Sequence, residues 1–287
     1  MKAPWWSYLW KHALVWLVVG WVLFPVIWII AASFDPRGIL IGSSLIPPQA
    51  SLVHYIELFS NATHPFGLWL WNSVFVSMTT AGLATLLCAL AAYAFSRYRF
   101  RGRRTGLLAL LIIQMFPQLL AVVAIYLLMQ NISSIPYLGS LIGFNTHTGL
   151  IMVYLGGAIG FNTWLMKGFF DTLPRALEEA ALIDGATRFQ VFWRIVLPLT
   201  RPVLAVIFIL VFILTYADFL LASVLLRDRE MFTLSVGLQR FIANQYGTVR
   251  WGPFAAATVL GSVPIVIVFL IAQRWIISGL TRGSVKG

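Results

Sequence analysis

The chain has 287 residues and a mass of 32.1 kDa; 60% of residues are hydrophobic, 10% are charged, and the mean hydropathy is +0.88. A soluble domain carries about 25% charged residues to keep its surface wetted, so this composition excludes most soluble classes and makes lipid the solvent for much of the chain. The 20 Lys and Arg against 9 Asp and Glu give a net charge of +11, and because the positives lie between apolar stretches, membrane orientation accounts for them better than a nucleic-acid partner.

A bilayer core about 30 Å thick takes about 20 apolar helical residues. Six stretches qualify, near 13–32, 72–95, 106–129, 149–166, 202–226 and 253–276, which predicts an all-α, polytopic membrane protein with six transmembrane helices. The first stretch follows Lys2 and Lys11 and precedes Ala31, Ala32 and Ser33, a pattern shared with signal peptides. Its apolar run exceeds the ~7 to 15 residues of a signal core, so it reads as a retained span. In the second stretch Ala81, Thr85 and Ala89 form a small-residue stripe, matched in the fourth by Gly156 and Gly160. Such stripes let helix backbones approach closely in lipid, within one chain or against a partner subunit. Cys88 stands alone in an apolar run, which excludes an intrachain disulfide and a Cys-cluster metal site and suits a packing residue.

Pro117 and Pro264 fall within the third and sixth stretches, where a missing N–H should kink the helix. Gln114 and Gln118 flank the first of these kinks, and a kinked, partly polar helix suits a gated pathway. Asp218 is the sole acid within the six stretches, with no clear basic partner. A carboxylate at that depth costs roughly 2.5 to 3.5 kcal/mol on insertion scales unless it faces water or a partner. It is therefore a second pathway candidate, or a residue satisfied by packing within the chain.

Counting Lys and Arg in alternate loops orients the chain. Fifteen lie with the N-terminus, the 97–104 loop, the 167–201 loop and the tail, against five on the other side. Both termini are expected in the cytoplasm, with external loops near 33–71, 130–148 and 227–252 and a tail at 277–287.

No G-x-x-x-x-G-K-[ST], H-E-x-x-H or G-x-S-x-G occurs, so the chain is expected to be neither its own ATP motor nor a hydrolase of those types. One acid in six spans is also few ionisable groups for a proton-driven carrier. The loop at 167–201 is the most patterned stretch. Asp171-Thr172-Leu173-Pro174 reads as a helix start with a capping side chain. Residues 175–183 are strong helix formers, and Asp184-Gly185 ends them because glycine accepts a left-handed C-terminus. A second amphipathic helix carries Phe189, Phe192, Trp193 and Val196 until Pro198 stops it.

Within this hairpin, Glu179, Ala180, Ala181, Gly185, Ile195, Leu197 and Pro198 spell E-A-A-x3-G-x9-I-x-L-P. The pattern resembles the coupling loop of permeases in binding-protein-dependent ABC importers. Stretches 88–95, 114–117, 145–149, 225–228, 251–257 and 279–287 narrow the likeness to the MalG-type permeases, the smaller permease subunits of maltose and maltodextrin importers. It runs from about Trp69 onward, while the first span and its loop match in pattern alone.

That resemblance implies the ABC importer permease fold and a place in the prokaryotic inner membrane. It also implies three partners: a MalF-like second permease, a homodimeric MalK-like ATPase that binds the ATP and Mg, and an extracytoplasmic sugar-binding protein. The chain would hold no cofactor and catalyse nothing. Glu179, Ala180, Ala181, Asp184, Gly185, Ile195 and Pro198 would lie at the ATPase docking face, 227–252 would face the binding protein, and the tail would reach toward the ATPase pair. A permease for another sugar, such as trehalose, and a secondary transporter working without nucleotide are the competing readings.

Overall fold

Long runs of Leu, Val, Ile, Ala and Phe without water to compete for the backbone leave helix as the form that satisfies every N–H and C=O locally. The computed structural model describes residues 6–39, 45–242 and 249–284, with side chains described for all of these except 6–8, 118 and 276–284. Among the described residues there are helices and turns and no strand. In chain order the helices are α1 (Trp6–Phe34), α2 (Val53–Ser60), α3 (Phe66–Arg97), α4 (Arg103–Gln114), α5 (Gln118–Ser133), α6 (Leu138–Ile142) and α7 (His147–Asp171). Then come α8 (Arg175–Ile183), α9 (Arg188–Val191), a π turn (Phe192–Val196), α10 (Leu197–Leu199), α11 (Arg201–Ala217), α12 (Leu220–Leu225), a 3-10 turn (Arg229–Met231), α13 (Leu234–Ile242) and α14 (Trp251–Ser284).

Among the described residues four helices are long and apolar enough to cross a membrane, and six spans result if each of two bent pairs counts as one. The first pair meets at Pro117, where the expected kink is a full break of 101° between α4 and α5. The second pair meets at Thr200, where residues Arg188–Leu199 turn by 76° into Arg201–Ala217. The stretch read as the fifth span is interrupted as well: α11 stops at Ala217, Asp218 is extended, and α12 resumes at Leu220. Pro264 sits inside α14 as expected, and Pro25 lies inside α1 as well.

The chain divides into two compact units. The unit of Met1–Leu68 and Gly237–Val263 is organised around the end of α1. Ser33 Oγ donates to Ile30 O at 2.6 Å and meets the Tyr55 hydroxyl at 2.7 Å. The next acid, Asp35, is buried and accepts both Arg37 Nη2 at 2.6 Å and Arg37 Nε at 3.0 Å. These hydrogen bonds hold its carboxyl below the usual carboxylate range. A folded pKa below the unfolded one means the pair stabilises above about pH 4 and loses that contribution as pH falls through the folded value.

His54 Nε2 lies 2.9 Å from Asp35 O, which fixes the ring in a buried position. Gly252 packs directly on that ring, so a Cβ there would stand 2.2 Å from His54 Nε2. Arg250 pairs with Glu57 and lies over the Phe241 ring at 5.9 Å.

The unit of Trp69–Val236 and Pro264–Gly287 holds the buried faces of α3, α7 and α11, with α4 packed along α7. Ala81, Ala84, Cys88, Ala89 and Ala92 on α3 are fully buried, and Cys88 Sγ lies 3.6 Å from Ile159 O on α7. The α7 stripe divides: a Cβ at Gly160 would stand 2.7 Å from Leu110 O, whereas one at Gly156 would meet open space. Gly160 thus serves close approach of α4 to α7 within the chain.

The segment expected to begin the last external loop is held by backbone carbonyls. Trp69 Nε1 donates to Arg229 O at 2.8 Å, and Asn72 Nδ2 donates to Glu230 O at 2.8 Å and Phe232 O at 3.0 Å. Asn145 Oδ1 accepts from the amides of Arg227 and Asp228. Residues 243–248 of that loop and 285–287 of the tail lie outside the described residues.

Gly252→Ala should destabilise the first unit by about 1 to 3 kcal/mol, the usual cost of forcing extra volume into a packed site. Thermal unfolding of the detergent-solubilised chain should show a lowered midpoint, largely recovered by adding His54→Ala. An unchanged midpoint in the single variant would mean the His54 ring moves aside freely.

Candidate functional site

Between the end of α7 and the start of α11 the chain leaves the spans as a hairpin. Asp171 does not cap its first helix as the sequence suggested. It is the last residue of α7, where its carboxylate accepts from Ser96 Oγ at 2.6 Å and from Lys167 Nζ at 2.5 Å. Pro174 occupies the cap position of α8 without a side-chain hydrogen bond, and proline's missing N–H suits a helix start.

The stop at Asp184-Gly185 is as expected. Gly185 has φ +87°, its N–H reaches Leu182 O at 3.2 Å, and the Ala186 N–H reaches Ala181 O at 2.9 Å. These paired bonds form a Schellman closure, which satisfies two carbonyls that a helix end otherwise leaves open.

The second helix begins with a capping box: Thr187 Oγ1 accepts from Gln190 N, and Gln190 Oε1 accepts from Thr187 N. It then widens into the π turn holding Ile195 and runs through Pro198 to Leu199, ending at Thr200. Pro198 therefore does not terminate it. The Leu197 N–H bonds to Phe192 O five residues back, so the chain is already off the i→i−4 ladder where proline lacks its donor. The bend of 76° comes at Thr200, before α11.

Two adjacent glutamates divide the roles. Successive helical residues are turned by about 100°, so Glu178 faces the spans while Glu179 is exposed. Glu178 Oε1 accepts from Arg97 Nε at 2.6 Å and Oε2 from the Tyr93 hydroxyl at 3.2 Å, with the Arg97 and Glu178 side chains 7% and 12% exposed. Arg97 also donates to Leu173 O at 3.3 Å, and the Tyr93 and Phe192 rings lie 4.9 Å apart. The hairpin base is thus fastened to the end of α3. Its tip is apolar and open: Ile183 is 86% and Phe189 69% exposed, beside exposed Leu177, Trp193, Ala180, Asp184 and Gly185. Ala181, Ile195 and Pro198 are half-buried against the hairpin.

The pathway candidates lie elsewhere in the same unit, and two of them converge. Gln114 Nε2 donates to Gly157 O at 2.7 Å, and Asp218 Oδ2 accepts from the Tyr154 hydroxyl at 2.8 Å and from Ala222 N at 3.1 Å. Tyr154 and Gly157 are three residues apart, one face of one turn of α7. Gln118 opens α5, and its side chain lies outside the described residues. Sequence reasoning missed Tyr93, Arg97, Tyr154 and Glu178. Their pairings span 64 to 85 residues, and no local pattern in one sequence announces them.

Removing one partner of a buried ion pair costs about 3 to 5 kcal/mol. Glu178→Gln should therefore loosen the hairpin and speed tryptic cleavage after Arg175 and Arg188 severalfold in the solubilised chain. Glu179→Gln, one residue away and exposed, should leave the cleavage rate unchanged. Equal rates in both variants would remove Glu178 as the anchor.

Residues 83–282 match the family model of the binding-protein-dependent transport system inner membrane component. The maltose/maltodextrin transport system permease protein MalG of Vibrio vulnificus (strain YJ016) is 46% identical over 288 residues, covering 96% of this chain and 95% of its own. MalG of Escherichia coli (strain K12) is 43% identical with the same coverage. These matches take in the first span, where the sequence alone offered a likeness of pattern. A crystal structure of a bacterial ABC transporter involved in the import of the acidic polysaccharide alginate superposes with a TM-score of 0.74 over 93% of this chain and 95% of that one. At 23% identity that likeness is one of fold. A multi-pass helical chain with this hairpin and this near end-to-end kinship belongs to the binding-protein-dependent transport system inner membrane component family, as a MalG-type permease.

Proposed function

We propose that the chain is the permease subunit of an ATP-driven importer for maltose and maltodextrin-type oligosaccharides, working by alternating access beside a second, MalF-like permease. A MalK-like ATPase pair would hold the ATP and Mg, and an extracytoplasmic binding protein would deliver the sugar. The observation that carries this reading is the 43–46% identity to MalG permeases over nearly the whole chain. A secondary transporter has no support from these relatives.

The hairpin geometry supports the mechanism. An exposed apolar tip on a helix otherwise outside the spans calls for a covering partner, and an ATPase cleft is the partner this family uses. A push on Ile183 or Phe189 passes through Glu178 and Arg97 to α3, and through Asp171 to α7. Tyr154 lies about 25 Å further along α7 at 1.5 Å per residue, beside Asp218 and, one turn away, Gln114. Gln114, Gln118 and Asp218 all stand at helix breaks, where irregular backbone in a membrane is tolerated if it is buried in protein or lines a cavity. We assign them to the translocation pathway, with the charge split placing both termini and the 167–201 hairpin in the cytoplasm. The 227–252 loop would face the binding protein and the 277–287 tail the ATPases.

Two experiments test this. Gly185→Val forces a β-branched side chain into the left-handed region at about 1 to 2 kcal/mol, while open space around that position removes any clash. The variant should insert and pair with its fellow permease, yet lose ATPase copurification and ATP-driven maltose uptake in vesicles. Wild-type levels of both would deprive the hairpin of its coupling role, and uptake without nucleotide would favour a secondary transporter. Reporter fusions after Arg104 and Arg201 should sit in the cytoplasm and one near Ala50 outside; an external Arg201 fusion would reverse the orientation.

A further inference from the structure

Where α3 gives way to α4, the chain turns through Gly102 at φ +84° and leaves a cleft of about 510 Å³. Phe100, Arg103, Arg104, Thr105, Leu107 and Lys167 line it. Three of the six are cations, and two of those are engaged. Arg103 donates to Phe95 O at 2.6 Å and Ser96 O at 3.4 Å, and Lys167 pairs with Asp171 at 2.5 Å. Arg104 is exposed and has no partner among the described residues, as is true of Arg99 and Arg101 nearby. Among the described residues Asp171 is the one acid paired with a cation of the lining, so the cleft and its rim keep a surplus of positive charge.

Arg104 also heads an apolar track on its own face of α4. Phe100 at the cleft's rim is exposed, and Leu108 and Ile112, one helical turn apart on α4, are both exposed below Arg104. A free anion would need the cations but would gain nothing from that track. A phospholipid needs both, because its phosphate takes the charge while its acyl chain covers the apolar face.

We propose that this cleft is a binding site for an anionic phospholipid of the adjoining leaflet, with its phosphate on Arg104 and its acyl chain along Leu108 and Ile112. The site is separate from the hairpin tip and from the helix breaks, and does not depend on which side of the membrane the loop occupies. It also gives the loop a role beyond orientation: the lipid would brace the α3–α4 turn directly beside the Arg97–Glu178 anchor.

The test is native mass spectrometry of the full-length chain in detergent, supplied with phosphatidylglycerol or phosphatidylcholine of identical acyl chains. Wild type should retain phosphatidylglycerol in preference. Arg104→Gln should reduce that retention about fivefold, the effect of one cation near a membrane surface, and Arg104→Lys should restore most of it. Equal retention of the two lipids by wild type would overturn the proposal, as would undiminished retention in Arg104→Gln. A parallel arm maps phenylglyoxal modification of Arg104 by peptide mass. Protection by phosphatidylglycerol vesicles is the expected result; protection by inorganic phosphate but not by those vesicles would assign the cleft to a free anion and overturn the lipid.

Discussion

Backbone amides and carbonyls inside a bilayer have no water to turn to, and an unsatisfied one costs several kcal/mol. Every interruption of helix in this chain therefore has to be answered by a specific partner. At the α11 end, the Tyr216 carbonyl is met by Ser235 Oγ at 3.1 Å, and Asp218 takes the Ala222 amide at the head of α12. At Pro117 the chain tightens, with the Met115 and Phe116 amides reaching back three residues to Ile112 and Ile113. Gln114 meanwhile reaches across to the Gly157 carbonyl on α7. The same side chains that would be costly in lipid if left alone are those that make the breaks tenable. That double duty is why polar residues at helix breaks are both structural supports and candidates for the pathway.

The hairpin presents a different demand, since its base is fastened to α3 while its tip stays exposed. The step of about 100° between neighbouring helical residues lets Glu178 and Glu179 serve the two ends of that demand. One is packed against Arg97 and Tyr93, and the other is exposed. The turn between α8 and α9 is closed by backbone hydrogen bonds and a capping box, with Gly185 supplying the one conformation that L side chains resist. Beyond it, the π turn absorbs Pro198 into a continuing helix, so that the bend falls at Thr200. Exposed Ile183 and Phe189 are thus carried on a frame that Glu178 ties to Arg97 and Tyr93 of α3.

Much of this was legible from residue order. Apolar run length marked the spans, Gly185 marked the turn, Pro117 marked a break, and the E-A-A-x3-G pattern marked the hairpin. These features depend on local rules: how long a helix must be to cross lipid, and which residue tolerates a positive φ. The errors were local too. Asp171 and Pro198 carry ordinary cap and stop signals, but Ser96 and Lys167 claim the first side chain and the π turn bypasses the second.

The long-range pairings lay beyond such rules. Arg97 with Glu178, and Tyr154 with Asp218, join residues far apart in the chain, and their meeting depends on how α3, α7, α8 and α11 pack. Period and propensity describe one segment at a time and contain no term for which segments meet. Composition and pattern therefore settled the solvent, the number of apolar stretches, the turn and the family likeness. Packing settled which glutamate anchors the hairpin, which glycine brings two helices together, and which turn of α7 receives both Gln114 and Asp218.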